Sequence, residues 1–379
     1  MRISGLRECS LSIMRFVRNK GFPQLALHPS DRSGSPSWRP PECDDGRRGN
    51  AIPRVGGIFY VPALSLATAD TQTADAVLMV RPASFGWNAQ TAASNRFQPP
   101  VPVAVRDAGA RAVAEFDALA GALADAGVTV HAFDDRAQPA CPDAVFPNNW
   151  VSLHADGTVV LYPMLAPNRR RERRLELVAA LEHGERGVGH RVERLLDLTH
   201  HELRGRCLEG TGSVVFDHPG RVAYACLSPR TDAEVFDELC DELGYEPVVF
   251  QATDAAGVPV YHTNVMLSIG SEFVVVCAES VVPEQRGALL ERLAAAGRRV
   301  VTIDRREMVG FAGNVLELRA ADGARVLAAS RRALASLSDH ARATLTACVE
   351  RVVAVPVPTI EDLGGGSVRC MLAEVFLPR

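Results

Sequence analysis

The sequence predicts an α/β protein, a five-bladed α/β propeller of pseudo-symmetric ββαβ repeats around a central channel. Three observations lead there. From Ala74 onward the chain alternates short strand pairs with amphipathic helices. The strand-strand-helix-strand unit then recurs along the rest of the chain. Finally, one unit is completed only by joining the two ends of the regular region, which leaves no open sheet edge to protect. An open α/β sheet is the alternative, and alternating hairpins and helices suit it poorly.

The elements follow in order. Ala76 to Val80 reads as a buried strand, Gly109 to Ala126 as a helix with Val113, Phe116, Leu119 and Leu123 on one face, and Val128 to Phe133 as a strand. Trp150 to Leu153 and Val159 to Tyr162 form a strand pair, followed by a charged helix from Arg169 to Glu182. Ser213 to Phe216 pairs with Arg221 to Cys226, with a helix at Asp232 to Leu243 and a strand at Pro247 to Phe250. Val265 to Ser268 pairs with Glu272 to Cys277, with a helix at Pro283 to Ala296 and a strand at Arg299 to Ile303. Val315 to Arg319 pairs with Arg325 to Ala329, with a helix near Ser338 to Arg351 and a strand at Val352 to Val355. The last strand, Arg369 to Phe376, is expected to pair with Ala76 to Val80 and close the fifth unit.

Composition bounds the function. With 379 residues, 47% of them hydrophobic and 23% charged, the chain has the make-up of a soluble globular protein with a sizeable core. A net charge of −4 offers no basic excess for phosphate, so nucleic acid is excluded as an expected partner. No apolar run is long enough to span a bilayer. Nine cysteines without a C-x-x-C pair suit neither a disulfide framework nor a zinc site, so a reducing cytoplasm is the expected setting. Residues 1–72 are rich in Arg, Pro, Ser and Gly and read as an N-terminal extension, disordered or outside the fold, ahead of a catalytic domain at 73–379. Arg47, Arg48 and Arg54 before the apolar stretch Ile58 to Ala67 superficially suggest a signal peptide, but it starts too far from Met1.

The chemistry concentrates near the end of the chain. Gly364-Gly365-Gly366-Ser367-Val368-Arg369-Cys370-Met371 is a glycine-rich turn that delivers one thiol, with Arg369 beside it to favour the thiolate. Alone, such a cysteine is more often a buried structural residue. Asn149, Glu209, His262, Asn314 and Cys370, however, are separated by 60, 53, 52 and 56 residues, each at or just before the first strand of its repeat. In a fivefold ring they converge at one mouth of the channel, where a small polar substrate can be enclosed.

With these motifs in view, residues 74–379 resemble the guanidino-group-modifying, or pentein, superfamily of arginine deiminases, dimethylarginine dimethylaminohydrolases and amidinotransferases. The carriers are Pro142-Asp143-Ala144-Val145-Phe146-Pro147-Asn148-Asn149, Leu208-Glu209-Gly210-Thr211-Gly212, His262-Thr263-Asn264 and Gly366 to Met371. The opening Val80 to Asn88, followed by Asn95-Arg96-Phe97-Gln98, is most similar to the arginine-deiminase-related, citrulline-utilisation branch.

The resemblance implies Cys370 as nucleophile on the planar carbon of a guanidino or ureido group, giving a thiouronium-type intermediate. His262 serves as general acid and then base. Glu209 holds and orients the substrate nitrogen, and Asp143 pairs with another N–H. Asn148, Asn149, Asn264 and Arg81 complete the expected substrate contacts, Arg81 as the fork for a carboxylate, and the segment Ser84 to Phe97 is an expected lid. No metal or cofactor is implied, and the partner is a small-molecule ureido or guanidino amino acid. A homodimer is compatible with the sequence.

Plainer readings exist for each residue: His262 as a core histidine, Glu209 and Asp143 as turn residues, Arg81 as one end of a structural ion pair. His200-His201-Glu202 lacks a second ligand motif and reads as a solvated helix end. The run Arg169, Arg170, Arg171, Arg173 and Arg174 reads as a solvated helix face. Asn148 and Asn149 stand where dimethylarginine hydrolases carry an acidic pair. A guanidinium donates from every nitrogen and favours carboxylates, whereas a ureido group also offers a carbonyl that an Asn amide can answer. Citrulline hydrolysis to ornithine, ammonia and carbon dioxide is therefore the expected activity. Arginine or methylarginine hydrolysis, amidino transfer, and a non-catalytic pentein binding module like the ribosome anti-association factors are the alternatives.

Overall fold

The computed structural model describes residues 71–101, 105–184 and 189–379. The expected extension lies outside the described residues except at Thr71 and Gln72. The Gln72 side chain donates to the carbonyls of Phe216 and Ile269 at 3.0 Å each and accepts from the His218 N–H at 3.0 Å. The fold thus begins at least one residue before position 73.

In chain order the elements are β1 (Ala76–Arg81), α1 (Ala89–Ala92), α2 (Ala108–Asp125), β2 (Thr129–Asp134), β3 (Val151–Leu153), β4 (Thr158–Leu161), α3 (Leu175–His183) and β5 (Arg194–Asp197). There follow α4 (Gly210–Ser213), β6 (Val214–Asp217), β7 (Val222–Cys226), α5 (Ala233–Leu243), β8 (Glu246–Phe250), β9 (Leu267–Ile269), β10 (Phe273–Val276), α6 (Pro283–Ala294) and β11 (Arg299–Thr302). The chain ends with α7 (Arg305–Val309), β12 (Leu316–Arg319), β13 (Arg325–Ser330), α8 (Arg331–Ser336), α9 (Asp339–Thr346), β14 (Arg351–Val355), α10 (Pro358–Gly364) and β15 (Ala373–Glu374).

The strands form five three-stranded mixed sheets with one pattern: a first strand antiparallel to a second, and a third parallel to the second after a helical crossover. β15-β1-β2 repeats it with strands from the two ends of the described chain, Val77 opposite Glu374 and Ala76 opposite Thr129. Middle strands are buried along all but their ends, as Val274, Val275 and Val276 show in β10, because both faces are packed against the rest of the fold. On α2 the buried face is Ala112, Phe116, Leu119 and Leu123, with Ala112 in place of the expected Val113. Burial of Phe116 alone is worth about 1.5–3 kcal/mol.

Two local expectations are corrected. The strand at Arg369 to Phe376 is broken: Val368–Met371 is a 3-10 turn, and only Ala373–Glu374 pairs with β1. The turn, closed by the Cys370 N–H on the Ser367 carbonyl at 3.0 Å, sets the thiol before the strand starts. The charged helix expected from Arg169 to Glu182 is a 3-10 turn at Arg169–Glu172 followed by α3. β5 was not legible, because two leucines between charged neighbours carry little strand signal.

Neighbouring units touch through short polar contacts. The Thr263 hydroxyl donates to the Ser213 carbonyl at 2.5 Å, the Asn314 amide to the Asn264 carbonyl at 3.0 Å, and the Phe376 N–H to the Leu153 carbonyl at 3.1 Å. The Arg319 N–H reaches the Ala74 carbonyl at 2.9 Å.

Candidate active site

The repeat explains how five distant residues meet. Asn149 ends a 3-10 turn before β3, Glu209 precedes α4 and β6, His262 precedes a 3-10 turn and β9, Asn314 precedes β12, and Cys370 lies in the turn before β15. Equivalent turns at the same end of successive sheets point their side chains at one place. Glycine makes room there. Gly210 has φ +48, and a Cβ on it would lie 2.1 Å from the Asn148 carbonyl oxygen, a clash no rotamer relieves. A Cβ on Gly212 would lie 2.5 Å from Asn149 Nδ2 and 2.7 Å from His262 Nδ1.

The cleft so formed, about 250 Å³ with its open mouth included, is lined by Asp143, Asn149, Arg169, Arg230, His262 and Cys370 among others. Glu209 is its fully buried anchor. One oxygen, Oε2, accepts from His262 Nε2 at 2.9 Å and Arg230 Nη1 at 3.2 Å, and the other accepts from the Leu165 N–H at 3.1 Å. Burial opposes its charge, yet Arg230, the His262 hydrogen bond and Arg169 hold the Glu209 carboxyl well below the usual range. Because that carboxylate only accepts, Nε2 of His262 carries the proton. Burial pushes His262 down to about 4 against the pull of Glu209, so the ring is neutral at pH 7.

Cys370 is buried, and burial raises its thiol pKa. Opposing this, Asn314 Nδ2 donates to Sγ at 3.2 Å, and the Ser367 backbone, Arg369 and Asn264 act in the same direction. Asn264 Nδ2 lies 3.6 Å from Sγ. Arg369 is a lesser influence than the sequence suggests, because its guanidinium bonds Glu374 at 2.8 Å and the Leu372 carbonyl at 3.0 Å.

Four sequence expectations change here. Arg81 is not at the cavity: it pairs with Asp117 at 2.7 Å on the surface, with its side chain 41% exposed. Asn148 is buried behind the cavity, bonded to Thr211 Oγ1 at 3.3 Å, and only Asn149 of the pair lines it. Asn264 addresses the sulfur, and is not among the residues lining the cavity. The arginine run is no solvated face. Arg169 is 2% exposed, bonds both Glu172 oxygens at 2.9–3.2 Å and Asn149 Oδ1 at 2.9 Å, and lies 3.7 Å from both Asp143 and Glu209.

Arg230 was missed altogether. Its signal, an arginine in Ser228-Pro229-Arg230-Thr231 between β7 and α5, differs in nothing from a surface loop. The structure buries it and aims it at Glu209, Thr91 and Ser94. The expected lid segment lies over the site: Asn95 lines the cavity and bonds the Gly364 and Gly365 carbonyls at 3.3 Å, and Asn88 Nδ2 donates to Asp143 at 2.8 Å.

The family profile described as N,N dimethylarginine dimethylhydrolase, eukaryotic, matches residues 81–377. The chain belongs to this family. It is accordingly a pentein of the guanidino-group-modifying superfamily and an enzyme of the hydrolase class. A comparison with curated proteins returned no match. Among solved structures, the N-terminal domain of ArgZ is similar to this dimethylarginine hydrolase relative with a TM-score of 0.61 at 17% identity, over 80% of this chain and 98% of that one. That protein, seen as a mutant bound to substrate, is described as an arginine dihydrolase from the ornithine-ammonia cycle in Cyanobacteria. A mutant of AgrE in complex with L-arginine gives 0.61 at 19% identity over 80% of this chain, which spans 40% of AgrE. A dimethylarginine dimethylaminohydrolase adduct with S-methyl-L-thiocitrulline gives 0.52 at 14% identity, over 79% and 98% of the two chains. At such identities these likenesses concern the fold.

Proposed function

We propose that this chain is a cysteine-dependent hydrolase of a ureido amino acid, converting citrulline to ornithine, ammonia and carbon dioxide. The observation that carries the reading is a pair of buried side-chain atoms without partners in residues lining the cavity of Cys370: Asn149 Nδ2, a donor, and Asp143 Oδ1, an acceptor. A ureido group has the complementary carbonyl and N–H. The two buried guanidiniums, Arg169 and Arg230, offset part of the charge of Glu172, Asp143 and Glu209, which lessens the call for a cationic substrate.

In this reading Cys370 gives its proton to neutral His262 and attacks the ureido carbon, with Asn149 stabilising the charge that grows on oxygen. His262 then protonates the departing nitrogen, and ammonia leaves an S-carbamoyl cysteine. Water, giving a proton to His262, attacks this intermediate. Sulfur leaves and recovers the proton, and the released carbamate loses carbon dioxide to give ornithine. Glu209 holds the imidazolium formed in each half. Residues 73–379 act as the catalytic unit, and we read the five sheets as a closed propeller with this cavity at one mouth of its channel. The contacts between neighbouring units support closure. The seven described cysteines, all free and buried, suit a reducing compartment.

A second reading makes a guanidinium the first substrate, with Asp143 Oδ1 as its carboxylate partner; the arginine described for ArgZ and AgrE favours it. Steady-state kinetics on citrulline and arginine side by side test the choice. Higher kcat/KM on citrulline supports the proposal, and equal or higher values on arginine overturn it.

A further inference from the structure

We propose that Tyr261 is a positioning residue for Cys370: its phenol grips the glycine turn that carries the thiol and ties that turn to the backbone that carries His262. The proposal rests on the reading of Cys370 as the nucleophile. Tyr261 is buried on the cavity wall, and its O–H donates to the Gly365 carbonyl at 2.6 Å. That bond lies near the short end of the range for hydroxyl donors.

Gly364, Gly365 and Gly366 have no side chains, so neighbouring donors can hold this stretch only by its backbone. Gln98 Nε2 donates to the Leu363 carbonyl at 2.9 Å, and Asn95 Nδ2 reaches the carbonyls of Gly364 and Gly365 at 3.3 Å each. Both donors come from the chain that lies over the site. Tyr261 instead comes from the residue next to His262, so its bond fixes nucleophile and base relative to each other. Gly365 sits at φ +64, a conformation that glycine enters and leaves at little cost, and the shape of the turn therefore depends on an outside grip.

A plainer reading, a buried phenol that merely finds an acceptor, accounts for the hydrogen bond. It does not account for the company the ring keeps. The ring centre is 4.5 Å from that of His262, the Arg230 guanidinium lies 5.1 Å over its face, and Phe97 meets it edge-on at 5.7 Å. Burial raises the phenol pKa well above its ordinary value, so the O–H remains a donor throughout the working range. What the grip secures is the reach of Cys370 Sγ to Asn314 Nδ2 at 3.2 Å and Asn264 Nδ2 at 3.6 Å, both of which favour the thiolate. Releasing the turn loosens these contacts and raises the thiol pKa.

The test is Tyr261→Phe in the full chain, which removes one oxygen and keeps the ring contacts. Alkylation of Cys370 by iodoacetamide, followed against pH by mass spectrometry of the Cys370 peptide, reads the thiol without any substrate. Its midpoint should move to higher pH in the variant, and kcat for citrulline should fall about 10-fold or more with KM little changed. An unmoved midpoint would overturn the proposal. Loss of folding, read by urea unfolding, would overturn it equally, because the O–H would then serve the fold and not the nucleophile. Since alkylation needs no citrulline, failure of the ureido reading shows in turnover alone and leaves this test intact.

Discussion

At the residue scale the site rests on unequal treatment of its polar atoms. Glu209 is saturated by His262, Arg230 and a backbone N–H, whereas Asn149 and Asp143 each keep one atom unbonded beside the nucleophile. Asn149→Asp replaces the free donor with an acceptor, so kcat/KM for citrulline should fall relative to arginine by about 10-fold or more, the worth of one unmet buried partner. An unchanged ratio would remove Asn149 from substrate choice. The depressed His262 pKa of about 4 places the acid limb of kcat/KM near that value, well below a free imidazole, since protonation below it removes the base. A pH-rate profile bending near 6.5 would contradict this. The meeting of Cys370, His262 and Glu209 was legible because motif and spacing agree, and the place of Asp143 on the cavity wall from its motif alone. Arg81 and Asn148 were misjudged because sequence cannot tell which way a side chain leaves a strand end or turn.

Among the elements, the turns before each first strand matter more than the strands. Gly212→Ala should lower kcat by at least 10-fold while leaving the circular dichroism unchanged, because its Cβ would displace Asn149 and His262. Full activity in that variant would mean that the turn tolerates what its geometry forbids. The 3-10 turn Arg169–Glu172 separates like-looking residues sharply. Arg169→Met removes the guanidinium that pairs with buried Glu172 and lies beside Asp143 and Glu209, and should cost about 3–5 kcal/mol in urea unfolding, whereas exposed Arg171→Met should change stability by less than about 0.5 kcal/mol. Periodicity reads a run of arginines as one face. Only the fold shows that the first of them turns inward, toward Glu172 of its own turn, Asp143 before β3 and Glu209 of the next repeat.

Across the whole molecule, the five-unit pattern was the most legible property, since repeated hairpin, helix and strand survive errors of a few residues at any boundary. The brief β5 and the broken last strand escaped because tertiary contacts, not local pattern, define them. Burial on this scale also sets acid stability. His154, His218 and His262 are pushed by burial to about 4, 3 and 4, below the unfolded value of about 6.5. For depressed groups the stability is full above the unfolded pKa and drains as pH falls toward the folded one. The histidine contribution should therefore decline as pH falls from about 6.5 to 3, and His218→Gln should flatten the fall in melting temperature across that window. A slope unaltered by that change would contradict the assignment. The central claim, Cys370-dependent hydrolysis of a ureido carbon, is tested most directly by product analysis with citrulline, arginine and dimethylarginine for the wild type and Cys370→Ser. The account predicts ornithine and ammonia from citrulline, abolished in the variant. Citrulline released from arginine or dimethylarginine, with added citrulline left untouched, would contradict it.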